Sequence, residues 1–127
     1  MRNPGITVAA LVVLAACGPT KTGHATPQNR YLITADEIAK SNASNAYEAI
    51  ERLRPAFFQT RGSQSIQNTA PPTPMVYVDG MKYGTVQSLM TLPAVSIITI
   101  QYMNALDATQ RFGIGNDGGA IVVTTKH

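Results

Sequence analysis

VSIITIQYMNALDATQRFGIGNDGGAIVVTTK, residues 95–126, contains the two most β-prone segments of the chain and the punctuation between them. In residues 95–102 the isoleucines at 97, 98 and 100 fall on both parities, the pattern of a strand that is central and covered on both faces. The period then changes: Ala105, Ala108 and Phe112 share one side of a short helix over 104–112. Asp107 and Arg111 stand at i,i+4 there, a pair worth about 0.2–0.5 kcal/mol. Residues 113–119 form a turn. Gly113 and Gly115 permit the positive φ with which a chain leaves a helix, Asn116-Asp117-Gly118 tolerates left-handed geometry, and Gly118-Gly119 permits a hard turn into a closing strand over 120–125. These glycines also fit G-x-G-x-x-G, but that fingerprint follows a strand and opens a helix. Here it follows a helix and opens a strand, so dinucleotide binding is not expected.

Immediately upstream, Met75-Val76-Tyr77-Val78 and Met81-Lys82-Tyr83 flank Asp79-Gly80, a pair that supplies the left-handed positions of a tight hairpin turn. Residues 85–92 read as a short helix with Val86, Leu89 and Met90 inward, stopped by Pro93. Nearer the N-terminus, residues 30–33 are a short strand candidate, and Thr34 with Glu37 makes a capping box. A second helix starts at Ser44 or Asn45. It sets Ala46, Ala49, Ile50 and Leu53 on one face and ends at Pro55, after which Ala56-Phe57-Phe58 continues as an extended segment. Residues 61–74 (RGSQSIQNTAPPTP) are a long polar surface loop. The order of strand, helices, hairpin, helix, strand, helix, strand predicts an α+β domain: a small mixed β-sheet with short helices.

The 127 residues suffice for one domain, and 44% hydrophobic against 13% charged permits a packed core. The formal charge is +3 with the cations scattered, so no nucleic-acid footprint exists. One cysteine and two histidines exclude a disulfide framework and a Cys/His zinc cluster, and no metal or cofactor is expected. His24 and His127 are the sole candidate bases for any serine nucleophile, one in a polar tether and one at the terminus. Asp79 and Asp117 are accounted for by turns and Glu37 by its cap, and the five tyrosines by core or half-buried sheet positions. An enzyme is therefore not expected.

Residues 6–16 are a mostly apolar run after Arg2, shorter than the roughly 20 residues that span a bilayer and suited to a signal-peptide core. The run ends in Leu14-Ala15-Ala16-Cys17, which resembles a bacterial lipobox. That resemblance implies a signal peptide over 1–16, a lipidated Cys17 as membrane anchor, a flexible tether over 17–29 and a folded domain over 30–127. Two or three acyl chains exceed what stable anchoring needs. The absence of Asp at position 18, where Gly18 stands, resembles the outer-membrane routing signal of such lipoproteins and implies the outer membrane within the cell envelope. Residues 18–23 have the glycine spacing of a phosphate loop, but His24 stands where Lys is needed and no strand precedes it.

Three segments together resemble the plug domain of TonB-dependent outer-membrane receptors. They are Ile33-Thr34 to Glu37-Ile38 leading to Leu53-Arg54-Pro55, then Val76-Tyr77-Val78-Asp79-Gly80, and then Ile97 to Tyr102 with Asp107 to Gly113 and Gly118 to Lys126. The resemblance covers about residues 30 to 127. It implies a plug-like fold and a non-catalytic binding or interaction domain held at the outer membrane or in the periplasm. A receptor continues into a barrel, whereas this sequence ends at His127, so the expectation is a domain that does not transport by itself. The implied alternatives are an accessory plug for a separately encoded barrel, or a small-ligand carrier. Partners are the membrane through Cys17 and a barrel or periplasmic protein. Candidate contact residues are Arg61, Gln64, Gln67 and Asn68 in the long loop, Asp79 and Gly80 in the hairpin turn, and any exposed edge strand.

Overall fold

The computed structural model describes residues 29–59 and 72–127. Five strands form one mixed sheet: β1 (Leu32–Thr34), β2 (Met75–Val78), β3 (Met81–Gly84), β4 (Ile97–Met103) and β5 (Ala120–Thr125), in the order β1-β4-β5-β2-β3. Only β2 and β5 run parallel; every other neighbouring pair is antiparallel. Three α-helices, α1 (Ala35–Ser41), α2 (Ala46–Leu53) and α3 (Ala105–Phe112), are joined by 3-10 segments at Pro55–Phe58, Val86–Thr91 and Ala94–Ser96. The fold is α+β, as the sequence predicts.

Each helix starts on a local signal. Thr34 caps α1 through a complete capping box with Glu37, Asn45 caps α2 by accepting from the Glu48 amide, and Asn104 caps α3 by accepting from that of Asp107. Pairing register then sorts the strands into two faces. Ile33 lies beside Ile100, Ile100 beside Val123, and Ile121 beside Val76. These pack with Ile38 of α1, Ala46, Ala49 and Ile50 of α2, and with Phe57 and Leu89, as the main core. The alternate set, Tyr77, Ala120 and Val122, meets Ala108 of α3 in a smaller cluster. The sheet is thus fully covered on one side and partly on the other.

Five sequence expectations are corrected. The central strand is β5, whose Ala120–Val123 stretch is buried on both faces, whereas β4 sits between β1 and β5. Ile98 of β4 is exposed, because a register shift between Ile97 and Thr99 takes it out of the alternation. Ala56-Phe57-Phe58 is a 3-10 turn begun by Pro55 rather than an extended segment, and it buries Phe57. The segment at Val86–Thr91 is also 3-10. At three residues per turn Val86, Leu89 and Leu92 align inward, and Met90 is left exposed. Finally, Asn116 and Asp117 do not adopt positive φ; among the described non-glycine residues only Asn42 and Asp79 do.

Asn116 instead does something the sequence does not announce. It is buried at 2% exposure, accepts from the Tyr77 hydroxyl at 2.9 Å, and donates from Nδ2 to the Gly113 carbonyl at 2.9 Å. Its own carbonyl accepts from the Gly119 amide at 2.8 Å. One side chain thereby ties the glycine turn to the face of β2. Tyr77→Phe keeps the ring stacked on Phe112, at 3.8 Å between centroids, and removes only the hydroxyl. The expected cost is about 1–3 kcal/mol, the penalty for a buried acceptor left without its donor, read as a lowered urea midpoint with unchanged far-UV circular dichroism.

Candidate functional site

The candidate residues divide between the two ends of the sheet. Asp79 and Gly80 form the β2–β3 turn, with φ of 49° and 84°, beside the C-terminal end of β5. The Asp79 carboxylate is engaged there within the chain. Oδ1 accepts from the Thr125 amide at 2.9 Å, Oδ2 accepts from the Thr125 hydroxyl at 2.5 Å, and His127 Nε2 stands 3.8 Å away. Asp79 is therefore a latch that holds the end of β5 to the turn.

The Thr125 hydroxyl and then its amide hold the Asp79 carboxyl below the ordinary carboxylate range; burial opposes them, and a protonated His127 adds a weaker pull in the same direction as Thr125. An acid with a lowered folded-state pKa stabilises the fold above its unfolded pKa, and that stability is lost as pH falls through the folded value. Asp79→Asn is therefore expected to lower Tm at neutral pH. The gap between the two proteins should close as pH falls below 3.8, the ordinary value for an aspartate carboxyl. Calorimetry from neutral to acidic pH checks this; a gap constant with pH would remove the latch.

The opposite end of the sheet carries the glycine turn. Gly113 and Gly115 take φ of 89° and 101°, so both need glycine's backbone freedom. Gly118 serves close approach: a Cβ there would lie 2.6 Å from the Pro72 carbonyl oxygen and nearer still to that of Thr73. Gly119, at φ 84°, meets both demands. Asp107 accepts from Asn104 Nδ2 at 2.8 Å, and the Arg111 guanidinium lies 5.4 Å from the Phe112 ring centroid, so the expected helix pair gives way to a cap and a cation–π contact.

Beside this turn is a cleft of about 250 Å³. Tyr31, Phe57 and Tyr102 supply aromatic walls, and Arg30, Arg54 and Asp117 the charges. Phe57 and Tyr102 stack at 5.5 Å between ring centroids. Arg54 is aimed by two bonds: Nη2 donates to Glu37 Oε1 at 3.0 Å and Nη1 to the Leu53 carbonyl at 2.9 Å. Burial opposes the Glu37 charge, but the Thr34 amide and the Arg54 guanidinium outweigh it and hold that carboxyl below the usual range. Gln59 lines the cleft as well, and Pro72 packs against Gly118, so the described ends flanking residues 60–71 both lie on this side.

Arg61, Gln64, Gln67 and Asn68 fall outside the described residues, as does Cys17. The structure separates the Asp79-Gly80 turn from the Gly118-Gly119 turn by the length of the sheet. The edge strands are β1 and β3, with Tyr31 preceding β1 and Met81 and Tyr83 in β3 all exposed. The sequence reading missed the cleft. Its signal was present only as separate residues, Arg30 and Tyr31, Phe57, Tyr102 and Asp117, which no spacing rule joins. No described helix is long and apolar enough to cross a membrane, and no described cluster of His, Cys, Asp or Glu could hold a metal.

No family model and no curated protein matches the chain. Among solved structures, it is similar to the siderophore receptor PirA from Pseudomonas aeruginosa, at 22% identity and a TM-score of 0.51 over 76% of this chain. The match spans 18% of the length of that receptor. At this identity the likeness concerns architecture alone, and what it supports is a plug-like α+β fold.

Proposed function

We propose that this protein is a lipid-anchored, non-catalytic plug-like domain that acts by binding another protein at the outer membrane or in the periplasm. The observation that carries the reading is the plug-like fold of the described residues, in a sequence whose residues 6–17 resemble an export signal ending in Leu14-Ala15-Ala16-Cys17. Such a fold has edge strands and turns to offer a partner, here β1, β3 and the two ends of the sheet. Lipidation of Cys17 would hold these surfaces near the membrane, where two or three acyl chains make release slow.

In-cell crosslinking of the tagged protein, with membrane fractionation, tests both halves. Wild type is expected in the outer-membrane fraction with a reproducible protein crosslink, and Cys17→Ala is expected to be released. Retention of Cys17→Ala in the same fraction would remove the lipid anchor from the proposal. Absence of any specific crosslink would remove the protein partner. A crosslink to a β-barrel would identify the accessory-plug form of this function.

A further inference from the structure

We infer that the cleft between Arg30-Tyr31, which precede β1, and the 3-10 turn Pro55–Phe58 binds a small planar carboxylate, about one aromatic ring in size. This site does not depend on the envelope role proposed above, since every residue it uses lies in the described domain. Its volume of about 250 Å³ lies just below the range of about 300–1,000 Å³ that holds drug-sized ligands, which selects a ligand of one ring over a large chelate. Two accessible aromatic side chains, Tyr31 and Tyr102, line it, with the almost fully buried Phe57 behind them as the ring on which Tyr102 stacks. Rings favour offset or edge-on contact with another ring, so the walls select a flat π-system over an aliphatic chain.

The charge requirement comes from the arginines. Arg54 is already partnered by Glu37, so its role is directional: its guanidinium is fixed, and the N–H groups not used by Glu37 and Leu53 remain available. Arg30 differs. It is exposed, and it has no hydrogen bond or ion pair among the described residues. An arginine fork without a partner among the described residues, beside an aromatic cleft, is suited to one planar anion, the carboxylate, which it can engage with two parallel hydrogen bonds. Asp117 on the Gly118 side disfavours a second negative group, so the ligand is a monoanion.

The test is a titration of the full chain in non-ionic detergent, labelled with ¹³C at alanine methyl groups, with sodium benzoate at neutral pH. Ala56 and Ala105 line the cleft, whereas Ala46 and Ala49 lie in the main core. Benzoate is expected to move the Ala56 and Ala105 methyl resonances saturably, with a Kd of about 1 mM or tighter, and to leave Ala46 and Ala49 in place. Arg30→Gln should weaken benzoate about tenfold, benzamide should bind at least about tenfold less tightly, and Arg111→Gln should change nothing. Any of three results would overturn the site: no saturation by about 20 mM benzoate, equal binding of benzamide, or an unchanged Kd in Arg30→Gln. Displacement of benzoate by an equal concentration of inorganic phosphate would likewise overturn it, by showing a plain anion patch.

Discussion

Gly119→Ala is expected to lower the stability of the domain by about 3 kcal/mol or more, the sum of two costs of about 1–3 kcal/mol each. The first is backbone: Gly119 sits at φ 84°, where an L side chain is strained. The second is steric. A Cβ at this position would lie 2.5 Å from the Met103 carbonyl oxygen and 2.8 Å from the Tyr102 hydroxyl. Met103 cannot withdraw, because it is paired with Ala120 in the β4–β5 ladder, the next residue along. Gly119 is also held on its other side, accepting from the Met75 amide at 3.0 Å.

Gly80→Ala isolates the backbone cost, since Gly80 has φ 84° with nothing near its missing Cβ. For a domain of this size each kcal/mol moves Tm by about 4–8 °C, so Gly119→Ala should lose roughly 15 °C and Gly80→Ala much less. Urea denaturation and thermal scans of both variants decide it. Equal losses would mean that the close approach to Met103 contributes nothing.

Phe57→Ala is expected to cost about 3–5 kcal/mol, the range for truncating a buried phenylalanine. Phe57 is 2% exposed, belongs to the main core with Ile50 and Ile100, and stacks on Tyr102. Its removal leaves a void that the rigid sheet beneath cannot close. Phe58, its neighbour, is half-buried and stacks on Tyr47 at 4.7 Å, so Phe58→Ala should cost clearly less. Should Phe57→Ala fail to fold, Phe57→Leu fills part of the void, and its midpoint should fall between wild type and the point of collapse. A Phe58→Leu loss equal to or larger than that of Phe57→Leu would overturn the assignment of which ring is inside.

The distinction between those two rings shows where sequence reasoning stops. Local chemistry was legible wherever a residue acts on its own neighbours. Thr34 with Glu37, Asn45 before Ala46 and Asp79-Gly80 announce their caps and turn, because the hydrogen bonds involved span two to four residues. The α+β class followed from the change of period along the chain. Adjacent Phe57 and Phe58 carry no such signal: only the 3-10 geometry after Pro55 decides which one meets the sheet.

Strand order was opaque for a related reason. Residues 97–100 are as apolar as residues 120–123, and composition cannot say which is central. That was decided by the parallel pairing of β5 with β2, a contact across more than forty residues. Asn116 is the same case at the level of one side chain. In sequence it belongs to a polar, glycine-rich turn, but Tyr77 is 39 residues away, and the bond between them exists only once the sheet has formed. The cleft likewise gathers Arg30, Phe57, Tyr102 and Asp117 from four separate segments. The sequence by itself determined the α+β class, the helix caps, the hairpin turn and the lipobox-like signal, which depend on near neighbours. The tertiary structure alone decided the centre of the sheet, the buried polar tie and the cleft, because each is a meeting of residues whose separation along the chain carries no information about their distance in space.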